Sequence, residues 1–374
     1  MANLQNVTFD DTDGLEFPQG TTAQRPSSPE IGMARYNTDR QGFEFYNGSE
    51  WLIFGFAAIR ATGGIISDIT IDSVEYRVHT FTSTGTSIFE VEDAGSKEGI
   101  EYLIVAGGGA GGNGMGAGGG AGGVIHNVNS TPLALSAGQY NIIVGAGGVG
   151  TLSDVRVNGQ DSTAFELTAI GGGGATSLQM QRRQGIVNGN PGGSGGGSGA
   201  SDAGNGFGGA GLQPTSTKSG YTGYGNSGGN QLTASSNYPG GGGGGAGSAG
   251  QSPSSNTSPG GFGGSGIQVN IDGNNYYWAG GGGGNGYNSD VGGPGGIGGG
   301  GGGSSRSRGG GAGGGSSINS GVNGVLGSDR PGGAAGTNTG GGGGGASWST
   351  APGGNGGSGI VIIRYPLNST IGIK

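Results

Sequence analysis

Long glycine tracts fill the middle of this sequence and constrain its fold more than any other feature. Glycine supplies 105 of the 374 residues, about 28% of the chain where about 7% is usual. With only 13 prolines and no glycine at every third position, the chain does not match a collagen triple helix. The tracts must therefore either stay disordered or form another backbone-dominated structure.

Two structures compete for these tracts. Gly/Ser-rich segments are usually flexible linkers, and ordering each residue costs roughly 1–2 kcal/mol of backbone entropy. The ordered alternative is a set of polyproline-II-like helices, which have about three residues per turn and, without side chains, can pack close enough to hydrogen-bond in several directions. Composition alone leaves both open. We expect the ordered polyglycine-II-like lattice, with the polar inserts between the tracts as its turns.

Composition divides the chain into five segments. We expect an N-terminal attachment arm, a small β-meander that anchors or trimerises, a β base, a glycine-rich lattice body with polar display loops, and a C-terminal strand that returns to the base. In this order, the arm spans residues 1–19, the meander 20–56, the base 57–106, the lattice body 107–359 and the C-terminal strand 360–374. The fold class is mainly β with irregular structure and almost no α-helix.

Short alternating segments predict the strands. The meander has three, over 32–37, 42–46 and 51–54, with an Asn-Gly turn signal at Asn47. The base has strands over 65–71, 76–81, 87–91 and 102–105. Polar and apolar residues alternate over 76–81, and this pattern places His79 among polar neighbours.

Two continuous apolar runs predict that the chain closes on itself. Tyr102-Leu-Ile-Val105 opens the glycine region and Ile360-Val-Ile-Ile363 ends it, and such runs are typical of paired strands buried on both faces. The segment 132–138 is a second candidate pair with 139–144. Deleting residues 360–366 should then unfold the base.

Charge and motifs exclude several functions. The net charge is −8, but residues 107–359 carry seven basic and seven acidic side chains, which argues against a nucleic-acid partner. No apolar run reaches the length of a membrane span, so we expect no membrane insertion. His79 and His126 lack a metal-ligand spacing, and the carboxylates are dispersed. We expect no metal, no cofactor and no catalytic residues.

The polar inserts carry the candidate binding residues. Aromatic, Asn and Ser side chains on turns of a rigid scaffold are typical of binding loops, and Arg pairs with anionic sugar or phosphate groups. The receptor-binding candidates are Arg182, Arg183, Tyr221, Tyr224, Tyr238, Tyr287, Arg306, Arg308 and Trp348. A structural role is the alternative for Tyr276, Tyr277 and Trp278, which follow the β-like segment 266–271, and to a lesser degree for Tyr221 and Tyr224.

Four further stretches carry a family resemblance. Residues 20–51, with Gly32-Met-Ala-Arg-Tyr-Asn37 and Phe43-Glu-Phe-Tyr-Asn-Gly48, resemble a module near the N-terminus of tailed-phage fibre proteins. Residues 76–86, 101–109 and 357–366 resemble the glycine-rich phage tail fibre and adhesin family, frequent in viruses of aquatic bacteria. The resemblance implies a polyglycine sandwich, usually trimeric, whose loops touch the host.

From these features we expect a structural virion protein, made in the cytoplasm of a bacterial host and used as a tail fibre or tail-tip adhesin. The absence of Cys suits folding in a reducing compartment. The implied partners are two further copies of the chain, other tail or capsid proteins bound through the N-terminal part, and a host surface glycan or outer-membrane protein. The alternatives are a capsid or neck decoration fibre and, from another class, an ice-binding protein. A depolymerising enzyme is disfavoured.

Overall fold

The computed structural model describes most of the chain and shows a mainly β protein. The described residues are 17–40, 42–54, 58–95, 99–202, 206–213, 221–232, 238–287, 291–348 and 350–367. Residues 1–16 of the expected N-terminal arm lie outside this set. The strands are β1 (Gln19–Gly20), β2 (Ala34–Asn37), β3 (Gly42–Tyr46), β4 (Trp51–Phe54), β5 (Arg60–Thr62), β6 (Ile65–Ile71), β7 (Val74–Phe81), β8 (Gly85–Asp93), β9 (Glu101–Val105), β10 (Val124–His126), β11 (Gly138–Val144), β12 (Ser162–Ala164), β13 (Leu167–Ala169), β14 (Thr222–Tyr224), β15 (Ile267–Gln268), β16 (Tyr277–Trp278) and β17 (Ile360–Pro366).

The N-terminal strands form a separate small sheet in the order β1-β2-β3-β4. The three predicted strands are confirmed as β2, β3 and β4, while β1 adds a short parallel pair with β2. Glu44, on β3, has a buried side chain that lies between Arg25 and Arg35 on one face of this sheet. Burial opposes its ionisation, but hydrogen bonds from Arg25 and Asn37 and the charge of both arginines hold the pKa of Glu44 below its usual value.

The base is a sandwich of two sheets. The inner sheet has the order β14-β10-β9-β17-β7-β6, and the outer sheet has the order β13-β12-β11-β8-β5. The side chains between them form the sandwich core, which includes Phe89, Tyr102 and Ile363. On the other face of the inner sheet a second apolar cluster, the rod-side core, includes Leu103, Ile362 and Trp278. The inner sheet is therefore buried on both faces.

The predicted closure of the chain is confirmed. Strand β17 lies between β9 and β7 and pairs antiparallel with both. Alternate residues of β17 contribute to opposite clusters, with Val361 and Ile363 in the sandwich core and Ile360 and Ile362 in the rod-side core. This explains why both apolar runs are continuous instead of alternating.

Two local expectations are wrong. The segment 132–138 does not pair with 139–144, because β11 pairs with β8 and β12, while Leu133 bridges to Ile100. His79 is not on a polar face: its ring is buried, with Nδ1 2.7 Å from the Gly63 carbonyl and Nε2 3.0 Å from the Tyr365 hydroxyl. The outer sheet covers this face of β7, which the alternation could not reveal.

The glycine tracts form extended rods that pack against each other. Along the rod at 117–123, successive N–H groups donate to three neighbours in turn: Ala117 to Thr176, Gly118 to Gly241 and Gly119 to Gly343. The cycle then repeats to Gly123, with every N···O distance at 2.8–2.9 Å. This three-residue period is that of a polyproline-II-type helix.

The same rod accepts hydrogen bonds from three other rods, so it has six neighbours. Its carbonyls accept hydrogen bonds from N–H groups of the rods at 109–112 and 194–197 and from the Gly282 N–H of a third rod. A Cβ built on Gly118, Gly119 or Gly120 would come closer than 3.0 Å to a backbone oxygen of an adjacent rod. Glycine is required here because neighbouring backbones occupy the space of a side chain. The expected polyglycine lattice is confirmed.

Asparagine side chains complete the hydrogen bonding at the edge of the lattice. Asn158, Asn230, Asn323 and Asn355 each accept a backbone N–H through Oδ1, from Gly174, Gly208, Gly313 and Gly150 respectively, at 2.8–2.9 Å. Each amide oxygen stands where a further rod would supply a carbonyl. At these four positions the edge of the lattice is closed by a side chain.

Candidate functional site

The rods continue the strands of the base, which gives the lattice a near end and a far end. The chain leaves β9 directly into the first rod and re-enters β10 from the next, so the turn at 113–116 lies away from the sheets. Other turns meet it there, through Gly116 bridged to Ser177, Asn285 N–H bonded to the Gly116 carbonyl, and Gly286 bridged to Ser305. We call this far end the tip.

Four predicted binding residues meet at the tip and form what we call the tip cluster: Tyr238, Tyr287, Arg306 and Trp348. The rings of Tyr287 and Trp348 are stacked, with centroids 5.3 Å apart and planes 3° from parallel. Arg306 lies over Trp348 at 4.7 Å from its centroid and donates a hydrogen bond of 2.8 Å to the Tyr287 hydroxyl. These contacts hold a charged group against a fixed aromatic surface.

Burial separates the roles within the tip cluster. Tyr287 is only 7% exposed and packs with Met115, Leu178 and Ala200 in a small apolar core. Trp348 and Tyr238 are half-buried against this core, and Arg306 is exposed. Tyr287 thus supports the cluster from below, while the other three present surface to solvent.

Arg182 and Arg183 also lie at the tip, but on a helix rather than on a loop. Helix α1 (Leu178–Gln184) begins at Ser177, whose hydroxyl accepts the Met180 N–H, and ends at Gly185 with a φ of 69°. A Ser N-cap and a left-handed Gly at the C-terminus are favoured helix boundaries. Leu178 and Met180 are buried, which leaves both arginines on the exposed face.

Each of these arginines pairs with an aspartate from another turn. Arg182 Nε lies 2.6 Å from Asp202, and Arg183 lies 2.9 Å from Asp154. Asp202 also accepts a hydrogen bond of 2.9 Å from the Tyr238 hydroxyl, which links α1 to the tip cluster. The hydrogen bond from Arg182 is the main reason that the pKa of Asp202 falls below its usual value, and the bond to Asp202 is the main reason that the pKa of Tyr238 rises.

Arg308 lies beside the tip cluster, and Arg330, which the sequence analysis did not select, lies there too. The Arg308 N–H donates to the Ser305 hydroxyl, and the Ser347 N–H donates to the Arg330 carbonyl. Both side chains are exposed. Seven of the nine predicted binding residues therefore lie together, although their positions span more than 160 residues of sequence.

Tyr221 and Tyr224 lie at the base and not at the tip, which favours their alternative structural role over a place on display turns. Tyr224 ends β14, at the edge of the inner sheet, and its ring stacks on His126 with centroids 5.3 Å apart. Tyr221 immediately precedes this strand and packs on the sandwich core near Tyr102. Both rings cover core at the near end of the lattice, which their polar sequence surroundings did not indicate.

Tyr276, Tyr277 and Trp278 also lie at the near end, on and beside the hairpin of β15 and β16. Trp278 is fully buried in the rod-side core, and its Nε1 donates to the Val269 carbonyl at 3.2 Å. The Tyr276 ring meets the Trp278 ring edge-on at 6.0 Å. This packing supports the structural role for Trp278.

Asp154 and Asp202 belong to the tip but were not among the residues predicted from the sequence. Both were visible only as isolated acids in separate inserts. Asp202 follows Arg182 by 20 residues and Asp154 precedes Arg183 by 29, and no local pattern signals a pair at such separations. The pairs form because the turns that carry the aspartates lie beside helix α1 in the folded protein.

No cluster of three or more metal-ligating side chains occurs among the described residues. None of the helices in the described part of the chain is long and apolar enough to cross a membrane. Asp202 is held ionised by Arg182, which suits recognition and opposes a role as proton donor.

Comparison with protein families agrees with the lattice. A family model for a glycine-rich domain matches residues 82–334, which is more than half of the chain. This chain belongs to the glycine-rich domain family. The glycine-rich domain begins just before β8 and includes most rods and tip turns, whereas Trp348 and β17 lie beyond its matched range. No curated protein matches the chain.

Proposed function

We propose that this glycine-rich domain protein is a virion adhesin, a tail fibre or tail-tip protein of a bacteriophage that binds the surface of the host cell through the tip of its rods. The observation that carries this proposal is the tip cluster. Trp348 and Arg306 are held by the stacked Tyr287 and by a rigid set of turns, and fixed aromatic and arginine side chains are the residues that dominate binding interfaces.

The arrangement of the chain supports an adhesin in a second way. The tip lies opposite the base, and the N-terminal sheet precedes the base in the chain. That sheet leaves Phe43 partly exposed against Phe17, around an apolar cavity of about 380 Å³. We propose that this sheet contacts two further copies of the chain or another virion protein, which would leave the tip free for the host.

Competition for adsorption tests the proposal. The soluble protein should block adsorption of the phage that encodes it. The double variant Arg306→Ala/Trp348→Ala should lose blocking by about tenfold or more, since both side chains face solvent at the centre of the site. Arg77→Ala is the matched control, because Arg77 pairs with Asp68 on the base. Unchanged blocking by the double variant, with an unchanged melting temperature, would contradict the proposed site.

Antibody labelling of the particle tests the location separately. Label at the tail agrees with a tail fibre or tail-tip adhesin. Label on the capsid or neck would favour the decoration-fibre alternative. Failure of the soluble protein to bind host cells at all would overturn the adhesin role.

A further inference from the structure

The charge of the tip is opposite to the charge of the whole chain. The protein carries a net charge of −8. Among the described residues of the tip, however, five arginines face three aspartates: Arg182, Arg183, Arg306, Arg308 and Arg330 against Asp154, Asp202 and Asp329. A cationic end on an acidic molecule favours approach of the tip, rather than the base, toward an anionic surface.

The positive charge is concentrated on one side of the tip. On the α1 side, Arg182 and Arg183 are neutralised by Asp202 and Asp154. On the other side, Arg308 and Arg330 are exposed and form no salt bridge within the described part of the chain. The arginines on the α1 side are therefore neutralised by aspartates, whereas Arg308 and Arg330 have no such ion pair among the described residues.

Two exposed arginines lie on turns that adjoin the tip cluster. The Ser347 N–H donates a hydrogen bond of 3.3 Å to the Arg330 carbonyl, which brings the backbone of Arg330 beside the residue that precedes Trp348. Arg308 is two residues from Arg306, which itself covers Trp348 at 4.7 Å. A guanidinium binds carboxylate, sulfate or phosphate oxygens through paired N–H groups, while the flat side of a ring suits the apolar face of a sugar.

We propose that the Trp348 side of the tip binds an acidic polysaccharide, with the part of Trp348 left exposed by Tyr287 and Arg306 against a sugar ring and with Arg308 and Arg330 on its anionic groups. This inference rests on the adhesin function proposed above and specifies its ligand. A sugar polymer fits better than a nucleic acid, because two exposed arginines beside one indole match a few spaced charges and not a continuous row of phosphates. The anionic group can be a carboxylate or a sulfate, which share this chemistry.

The full-length protein can be tested by biolayer interferometry against matched polymer pairs. Polygalacturonate and its methyl ester differ in carboxylate charge, and dextran sulfate and dextran differ in sulfate charge. We expect the protein to bind at least one charged polymer about tenfold more tightly than its neutral match at low salt, and to lose this preference as NaCl rises from about 50 to about 500 mM. Which pair responds identifies the anionic group.

Variants assign the binding to the proposed residues. Arg308→Gln/Arg330→Gln should weaken binding to the charged polymer by about three- to tenfold, the scale of two exposed charge pairs, and leave the neutral polymer unaffected. Arg60→Gln, which removes the same charge from β5 in the base, should change nothing. Trp348→Ala should weaken binding to both members of a pair.

Three results would overturn the inference: equal affinity for charged and neutral polymers, unchanged binding by the Arg308/Arg330 double variant, or equal binding of single-stranded DNA, which would reveal a general polyanion effect. A protein that blocks adsorption through Arg306 and Trp348 without any preference for acidic polymers would keep the adhesin function and lose this ligand. Binding of the charged polymer without any effect on adsorption would keep the acidic-polysaccharide ligand and contradict the adhesin function.

Discussion

The base and the rods of this molecule are stabilised by opposite use of side chains. In the base, Val361, Ile362 and Ile363 fill two apolar cores from one strand, and burial of such side chains is the main favourable term. In the rods, Gly118, Gly119 and Gly120 leave no space for a side chain, and their N–H groups bond three different neighbours. The stability of the base therefore depends on buried side-chain atoms. The stability of the rods depends on the lack of side chains, which lets the backbones pack closely.

This difference predicts opposite responses to mutation. Removing side-chain atoms from the base leaves a cavity, whereas adding one carbon to an interior rod forces backbones apart. In the rods each residue also contributes hydrogen bonds in more than one direction, so damage to one rod reaches its six neighbours. Four experiments test this difference between the base and the rods.

Loss of β17 should have the largest effect. Deleting residues 360–366 removes the pairing partner of both β7 and β9, so we expect no cooperative melting transition by circular dichroism. Ile362→Asp, at a side chain 1% exposed, should cost about 3 kcal/mol or more. Ile88→Asp, at a side chain 48% exposed, is the control and should cost less than about 1 kcal/mol. A deletion variant with the melting profile of the full chain would refute the closure of the base.

A single methyl group in a central rod should come next. Gly119→Ala would place Cβ against the Gly109 carbonyl, which is backbone and cannot rotate away, so we expect a loss of about 3 kcal/mol in unfolding free energy. At Gly315 a Cβ meets no atom within 4 Å, so Gly315→Ala should be neutral or stabilising by about 0.5 kcal/mol. Equal effects of the two substitutions in chemical denaturation would contradict close packing of the rods.

The two histidines should make the base, and not the rods, sensitive to mild acid. Burial lowers the pKa of His79 and of His126 below the ordinary value of 6.5. The unfolded chain therefore binds protons first as the pH falls, so stability is complete above about pH 7 and decreases below pH 6.5, by ~1.4 kcal/mol for each unit by which a pKa is lowered.

Calorimetry between about pH 7.5 and 5.5 measures this loss. The double variant His79→Gln/His126→Gln should be less stable at pH 7.5 but should show a flatter dependence on pH. The carboxylates with lowered pKa, Glu44, Asp68 and Asp202, protonate at more acidic pH than the histidines and so contribute little to the change in this range. A slope that persists in the double variant would assign the effect to other groups.

The smallest effect is expected at the lattice edge. Asn355→Ala removes the acceptor of the Gly150 N–H, a bond of 2.8 Å at an exposed position, and should cost about 0.5 kcal/mol because water can replace the oxygen. Asn355→Asp keeps an acceptor and should retain stability at neutral pH. A cost of several kcal/mol for Asn355→Ala would show that the edge is as cooperative as the interior.

The sequence predicts those parts of the fold in which each residue type has one structural use. The apolar runs at 102–105 and 360–363 predict strands that are buried on both faces. If the glycine tracts are ordered, their composition predicts packed rods. It could not predict the partner of β11, because strand pairing depends on which sheet a segment joins. For the tip, the residue types were recognisable, but Tyr221 and Tyr224 resembled Tyr238 in sequence surroundings and differ only in which end of a rod they occupy.

The three-residue cycle of rod hydrogen bonds also limits how such a protein can change in length. One residue inserted within the rod 117–123 would rotate every later N–H by a third of a turn, toward a neighbour whose carbonyls are already taken. A residue inserted into a tip turn leaves that cycle untouched. Insertions and deletions should therefore accumulate at the exposed end of the molecule, so that its contact surface can vary between relatives while the scaffold beneath keeps its register.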